Sequence, residues 1–266
     1  MKHILKKSFD KVIVALKKHR WKIFTIFALQ LVFFISIFYV NINYQVKILD
    51  DARVIFQTLE EQELGDEALA ENIADRDEVI KGSITILNRA KNITRNLTIM
   101  AGISLALYII VGGLLWAFTD NIVNRKKKIR HYINYVGKFI AVSFFYLMLI
   151  FIVLVFAFTG STYNYLWLIL VPLLLYFMFI SYSLIGKLGL FKIAKKTWHL
   201  GTRKAHYVVA AYIINILVIV ILGAFMFMLA ESFILLLAFA LLLFVFGYSL
   251  ARLFLVEFVH QLAHSA

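Results

Sequence analysis

Six apolar runs, each long enough to cross a bilayer as a helix, dominate this sequence. They cover residues 23–43, 97–119, 139–159, 165–186, 207–230 and 232–251. About 20 apolar residues span the roughly 30 Å of hydrocarbon in a bilayer as an α-helix. Since 62% of the 266 residues are hydrophobic, the chain has more apolar surface than a soluble domain of this size can bury. The sequence therefore predicts an all-α, multi-pass membrane protein with six transmembrane helices.

The positively charged residues lie mostly on one side of these runs. Segments 1–22, 120–138, 187–206 and the tail 252–266 together hold 21 of the 28 Lys and Arg but only 3 of the 15 Asp and Glu. Lys and Arg near the ends of spans are retained on the cytoplasmic side of a membrane. We therefore expect both termini in the cytoplasm and a place in the plasma membrane. Abundant Ile, Lys, Phe and Tyr, with one proline, are typical of a prokaryotic source.

A short amphipathic stretch precedes each odd-numbered span. In the first, Leu5, Phe9, Val12 and Leu16 recur at helical spacing, with lysines on the opposite side. A helix with one apolar and one basic face is typical of the membrane interface. The sequence therefore predicts an interfacial helix before the first span, and the same pattern recurs twice.

The second and third stretches repeat this design. The apolar side of the second, in residues 120–138, comprises Ile129, Tyr132, Ile133 and Val136. That of the third, in residues 187–206, comprises Phe191, Ala194 and Trp198, and Gly201 marks its expected end. We predict that basic residues on the three helices contact anionic lipid headgroups: Lys7, Lys11, Lys18, Arg125, Lys126, Lys127, Lys128, Lys192, Lys195 and Lys196.

Three copies of one unit, an interfacial helix followed by a transmembrane hairpin, account for this order. The last cation before each odd-numbered span is Lys22, Lys138 or Lys204, and the two spacings differ by 50 residues. That difference is close to the length of the polar segment between the first two spans, so its removal leaves units of similar length. The alternative explanation is that retention of positive charge alone puts a basic loop before each odd-numbered span.

Residues 44–96 form the sizeable polar segment on the predicted outer side. They hold 11 acidic and 7 basic residues and no proline, which favours helix over loop. We expect the first two spans to continue into an antiparallel helical hairpin with coiled-coil contacts, about 25 Å long, that turns near Gly65 and Asp66. Because two helices bury little apolar surface, we expect the hairpin to bind another membrane protein or a second copy of the chain. A solvated spacer is the alternative. The apolar residues expected to make these contacts form a stripe along both arms of the hairpin: Val46, Leu49, Leu59, Ile73, Ile80, Ile84 and Leu87.

Ionisable side chains are nearly absent from the predicted spans, which disfavours ion-coupled transport. Gln30 in the first span and Asn215 in the fifth lie at corresponding depths and are expected to face each other. They either line a substrate path or form an interhelical hydrogen bond worth about 1 kcal/mol, and the hydrogen bond is the favoured interpretation. Arg252, at the end of the last run, is expected to extend to the interface.

The sequence predicts no catalytic, cofactor-binding or metal site. The absence of cysteine excludes disulfides and thiolate chemistry. His260 and His264 are four residues apart, but no acidic residue nearby supplies a third metal ligand. Because the basic stretches also carry apolar faces, anionic lipid is favoured over nucleic acid as their partner.

The stretches Lys7–Lys22 and Phe191–Lys204 resemble the interfacial helices of uncharacterised prokaryotic six-span proteins. Those proteins are related to the membrane domain of glycerophosphodiester phosphodiesterases. The resemblance covers these stretches only, and the catalytic domain of that family has no counterpart in the sequence. It implies an integral membrane role and no particular reaction.

Together these observations favour a non-enzymatic membrane subunit or scaffold. Its outer hairpin would engage a partner, and its basic helices would lie in anionic lipid. The alternative is a channel or permease component with a path between the three units, past Gln30 and Asn215. A membrane-embedded enzyme is the third hypothesis, because the spans contain no carboxylate pair or Ser and His arrangement.

Overall fold

The computed structural model describes residues 2–66, 74–124, 129–159, 165–229 and 234–264. All regular structure in these ranges is helical, which confirms the all-α prediction. The helices are α1 (Lys2–Lys18), α2 (Arg20–Asp66), α3 (Ala74–Leu107), a π-helical turn (Tyr108–Gly112), α4 (Gly113–Asn124), α5 (Ile129–Thr159), α6 (Trp167–Leu184), α7 (Leu190–Arg203), α8 (Ala205–Met228) and α9 (Ile234–His264).

Six stretches of helix are long and apolar enough to cross a membrane, so the predicted number of spans is confirmed for the described ranges. They are Arg20–Glu61, Ile80–Asn124, Arg130–Ala157, Trp167–Leu184, Ala205–Met228 and Leu236–His264. The chain divides into two compact units. Unit 1 holds residues 1–32 and 109–266, and unit 2 holds residues 33–108.

Helix α9 forms the centre of unit 1. It continues without interruption through Arg252 to His264, where the sequence predicts a cytoplasmic tail after residue 251, with His260 and His264 on a helix. Residues 251–260 are all buried. This burial has a physical reason, since helices α1, α4, α6, α7 and α8 all pack against α9. The segment expected to be peripheral is therefore part of the core.

Two of the three predicted interfacial helices are separate elements. Helix α1 packs against α9, where the rings of Phe9 and Phe254 lie 4.6 Å apart. Helix α7 packs against α6, where the hydroxyls of Thr197 and Ser181 are 3.1 Å apart. The stretch from Ile129 is instead the first part of α5, continuous with the third span.

Helix α7 packs one side against the bundle. Phe191, Ala194 and Trp198 are exposed, whereas Ile193, Thr197 and Leu200 are buried against the bundle. Gly201 does not end the helix, because α7 continues to Arg203. A Cβ atom at Gly201 would overlap the ring of Phe177, so this glycine permits a close approach of α7 to α6. An aromatic residue on a short basic helix can therefore face lipid while a smaller polar one faces protein.

Unit 2 is an antiparallel helical hairpin formed by α2 and α3. Asp51 and Arg89 are joined by an ion pair of 2.8 Å, and each lies 15 residues from the hairpin end of its helix, at Asp66 and Ala74. This symmetry confirms the predicted antiparallel pairing. Gly65 and Asp66, where the turn is predicted, are instead the last two residues of α2. Residues 67–73, which include Ile73, lie outside the described residues.

Candidate functional site

Arg252 is buried inside unit 1, whereas the sequence predicts that its side chain extends to the interface. Its guanidinium is buried and donates two hydrogen bonds, from Nε to Oγ1 of Thr119 (3.2 Å) and from Nη1 to Oε1 of Gln30 (2.9 Å). Nη2 has no hydrogen-bond partner. Within the described ranges no carboxylate lies within 4.0 Å of Arg252. The cation is thus held by neutral groups alone.

Gln30 and Asn215 are both buried, and both contact α9. Gln30 accepts the hydrogen bond from Arg252, and Asn215 donates from Nδ2 to the carbonyl oxygen of Ala251 (3.1 Å). The two amides therefore bind consecutive residues of α9 and not each other. Each has an interhelical hydrogen bond, which is the interpretation that the sequence favoured.

Asp120 is the second buried charged residue of this unit. Its Oδ2 lies 3.0 Å from Nε2 of His131, and its Oδ1 lies 3.9 Å from Nε2 of His260. Asn124, one turn further along α4, donates to the same carboxylate. A Cβ atom at Gly186 would overlap both carboxylate oxygens, so the backbone after α6 approaches Asp120 closely. Asp120 thereby joins α4, α5 and the segment between α6 and α7.

Glu257 connects the first and last helices of the chain. It accepts a bond of 2.7 Å from Nζ of Lys11 and one of 3.0 Å from Gln261. Lys22 donates to Oδ1 of Asn121 (2.9 Å), which fixes the start of α2 on α4. These contacts lie at the end of unit 1 that holds α1, α7 and the last turns of α9, and we call it the basic end.

The two histidines of α9 have separate partners. His260 Nε2 lies 2.6 Å from the carbonyl oxygen of Ser183, so that nitrogen carries the proton, and Nδ1 is buried without a partner. His264 lies 3.0 Å from Nζ of Lys187. Among the residues that the structure describes, no group of three His, Cys, Asp or Glu side chains could hold a metal ion.

A cavity of about 450 Å³ opens between α6, α8 and α9. Apolar side chains form most of its wall, including Pro172, Phe179 and Ile216. Its polar lining comes from Tyr176, Tyr212, Asn215, Tyr248 and Arg252. The cavity therefore places a buried cation at the border of an apolar space.

The predicted lipid-binding lysines are at the basic end. Lys7, Lys11, Lys18, Lys192 and Lys195 are exposed, and Lys196 is half-buried. Lys7, Lys11 and Lys18 border a second cavity of about 400 Å³ between α1, α4 and α9. Arg125, Lys126, Lys127 and Lys128 lie outside the described residues.

The predicted partner residues of unit 2 are exposed wherever the structure describes them. Val46, Leu49 and Leu59 lie on the exposed side of α2, and Ile80, Ile84 and Leu87 on that of α3. The side of α2 that includes the ion-paired Asp51 carries Tyr44, Ile48 and Ile55, all less exposed. The predicted stripe is therefore not the contact between the two arms.

The buried cluster has weak signals in the sequence. Asp120 and Glu257 are two of only three acidic residues in the basic segments, and Arg252 directly follows a 20-residue apolar run. An isolated acid among many lysines indicates a structural partner, but the sequence does not say which one.

No protein-family model, curated protein or solved structure matches this chain. The class of protein is therefore defined by the fold alone, an all-α protein with six helices that could span a membrane. The resemblance to the membrane domain of glycerophosphodiester phosphodiesterases stays a prediction.

Proposed function

We propose that this protein is a non-enzymatic subunit or scaffold of a larger membrane assembly. The observation that carries the proposal is the exposed apolar stripe on α2. Val46, Leu49 and Phe56 are 53%, 67% and 67% exposed, although they lie in the polar part of the sequence. Apolar residues in contiguous exposed patches mark interaction surfaces. A partner that covers this stripe gives the hairpin a stable environment.

The spacing of the stripe favours a second copy of the chain as that partner. On α2 the residues of this stripe continue a row whose members are separated by alternating steps of three and four residues, typical of a coiled-coil seam. The row contains six apolar residues and one cation: Ile35, Tyr39, Ile42, Val46, Leu49, Arg53 and Phe56. All seven are exposed. The stripe begins in an apolar span and continues into a polar arm of the same helix. A matching partner needs a helix of the same mixed character, and α2 of a second copy is one.

Disulfide crosslinking tests this proposal directly, because the chain contains no cysteine. We expect Leu49→Cys to give a crosslinked dimer in native membranes under mild oxidation. The matched control is Ile48→Cys, one residue away on the less exposed side of α2, which should give none. A crosslink from Leu49→Cys to a different protein would keep the scaffold role and identify that partner. A monomer in mild detergent, with no crosslink from either variant, would overturn the proposal.

The proposal includes an orientation and a lipid environment. We place both termini in the cytoplasm of a plasma membrane, with Lys7, Lys18, Lys192 and Lys195 facing anionic headgroups. A membrane-impermeant maleimide should label Lys81→Cys in intact cells and label Lys192→Cys only after lysis. The reverse pattern would invert the topology.

A permease component is the second candidate, favoured by the cavity that Asn215 and Arg252 line. In this case the path would pass the hydrogen bond between Gln30 and Arg252. Flux of a solute through liposomes, lost in Gln30→Leu and Asn215→Leu but retained in Gln261→Leu, would support it. Unchanged assembly and unchanged flux in both variants would leave only the interhelical role.

A further inference from the structure

The cavity between α6, α8 and α9 has the depth of one bilayer leaflet. Its wall on α8 extends from Val209 to Ile219, which corresponds to about 15 Å at a rise of 1.5 Å per residue. That distance is about half of the hydrocarbon thickness of a bilayer. The wall over this length is mainly aliphatic and aromatic, so an extended acyl chain fits its chemistry better than a hydrated solute does.

Arg252 lies along the wall of this space, because Tyr248 and Leu255 of the same helix line the cavity on either side of it. Arg252 directly follows the apolar run 232–251, which alone is long enough to cross the hydrocarbon. The same part of α9 carries Glu257, which bonds Lys11 at the basic end of unit 1. The guanidinium therefore lies inside the bundle, between the apolar run and the basic end.

The charge of Arg252 lacks a counter-charge among the described residues. Both of its hydrogen bonds go to neutral groups, Thr119 and Gln30, and Nη2 is left without a partner. A buried cation without an anion is costly at membrane depth, and such residues usually mark a ligand or a transport path. An anionic group in the cavity would supply the missing charge, and an arginine fork suits phosphate or carboxylate oxygens.

We propose that this cavity binds an anionic lipid of the leaflet at the basic end. One acyl chain lies along α8, and the acidic headgroup is held at Arg252. Tyr176 and Tyr212 line the same cavity, but their hydroxyls already donate to the carbonyl oxygens of Gly201 and Tyr176, so Arg252 is the group that holds the headgroup. The site is distinct from the exposed lysines of α1 and α7, because its cation is inside the bundle. It does not depend on any partner of the hairpin.

Quenching of Trp116 by brominated lipids tests this site, because Trp116 lines the cavity. The other tryptophans, Trp21, Trp167 and Trp198, are exposed, and Phe can replace them with little effect on packing. This variant, with Trp116 alone, would be placed in phosphatidylcholine nanodiscs. Brominated phosphatidylglycerol or brominated phosphatidylcholine would then be added in increasing amounts.

We expect brominated phosphatidylglycerol to quench Trp116 at about a fivefold lower mole fraction than brominated phosphatidylcholine. Arg252→Gln should lose this preference, and Arg252→Lys should retain it. If Arg252→Gln does not fold, the cavity wall still provides a test. Ile216→Phe partly fills the cavity from an exposed position on α8 and should reduce quenching by both lipids.

Leu217→Phe is the matched control, because Leu217 is equally exposed on α8 but does not line the cavity. It should give the same quenching curve as the parent. Equal quenching by the two lipids in the parent would overturn the proposal. So would identical curves for Ile216→Phe and Leu217→Phe, because both outcomes place the quencher outside the cavity.

Discussion

The basic end of unit 1 and the hairpin of unit 2 use polar side chains in opposite ways. At the basic end, Asp120, Arg252 and Glu257 are buried and bonded to several helices. In the hairpin, one ion pair joins the arms, and its Arg89 side chain is 43% exposed. Apolar residues differ as well, since Leu253–Val256 of α9 are buried, whereas Val46, Leu49 and Leu87 of the hairpin arms are exposed.

This difference shows which region defines the fold. Buried charges are costly when a partner is removed, so the basic end tolerates few alternative arrangements of its helices. The hairpin arms hold few such constraints and leave apolar surface to be covered. The basic end therefore positions the helices, whereas the hairpin is suited to binding a partner.

The largest effect is expected from Asp120→Ala. The change removes the acceptor shared by His131 and Asn124 and leaves buried donors unpaired. The free energy of unfolding should fall by about 3 kcal/mol or more. Thermal denaturation of the purified protein in detergent measures the loss. Asp120→Asn, which keeps one acceptor oxygen, should lose less, and equal losses for both variants would contradict a charge-dependent role.

A smaller loss is expected from Gly201→Ala at the contact of α7 with α6. The new methyl group meets the ring of Phe177, which stacks on Trp198 at 5.7 Å and has little freedom to move away. Overpacking of this kind costs about 1–3 kcal/mol. Gly137→Ala in α5 is the control, because a Cβ atom there meets nothing within 4 Å. If both variants melt at the same temperature, α7 is not held by close packing.

The smallest effect is expected from Asp51→Asn in the hairpin. The ion pair with Arg89 is partly screened by solvent, so its loss should cost at most about 1 kcal/mol. Hydrogen exchange of the α2 and α3 amides should accelerate near residues 51 and 89 only. Asp50→Asn, an exposed neighbour, should leave exchange unchanged. A loss as large as that of Asp120→Ala would show that the two regions are not different in kind.

Helix number and helix type could be predicted from the sequence because they depend on local properties. Runs of about 20 apolar residues and the lack of proline in residues 44–96 are sufficient for six spans and a helical hairpin. The antiparallel ion pair between Asp51 and Arg89 agrees with that prediction. Unit boundaries and the ends of helices near the membrane surface have weaker sequence signals.

The contacts of individual faces could not be predicted in this way. Helix α7 has Ile193 and Leu200 on one side and aromatic residues on the other, and either side can be buried in a protein that also contacts lipid. Arg252 follows an apolar run, where a snorkelling side chain and a buried one have the same sequence. The choice depends on Gln30 and Thr119, which come from distant parts of the chain.

The bond between Lys11 and Glu257 has a consequence for the biosynthesis of the protein. The two residues are 246 positions apart in the chain. At about 5–20 residues per second, a ribosome needs roughly 12–50 s to make the sequence between them. Helix α1 therefore lacks its contacts with α9, and Phe9 and Val12 are not covered by that helix, while the intervening helices are inserted. Only when α9 has been synthesised can the basic end assemble, so α9 completes the packing of α1.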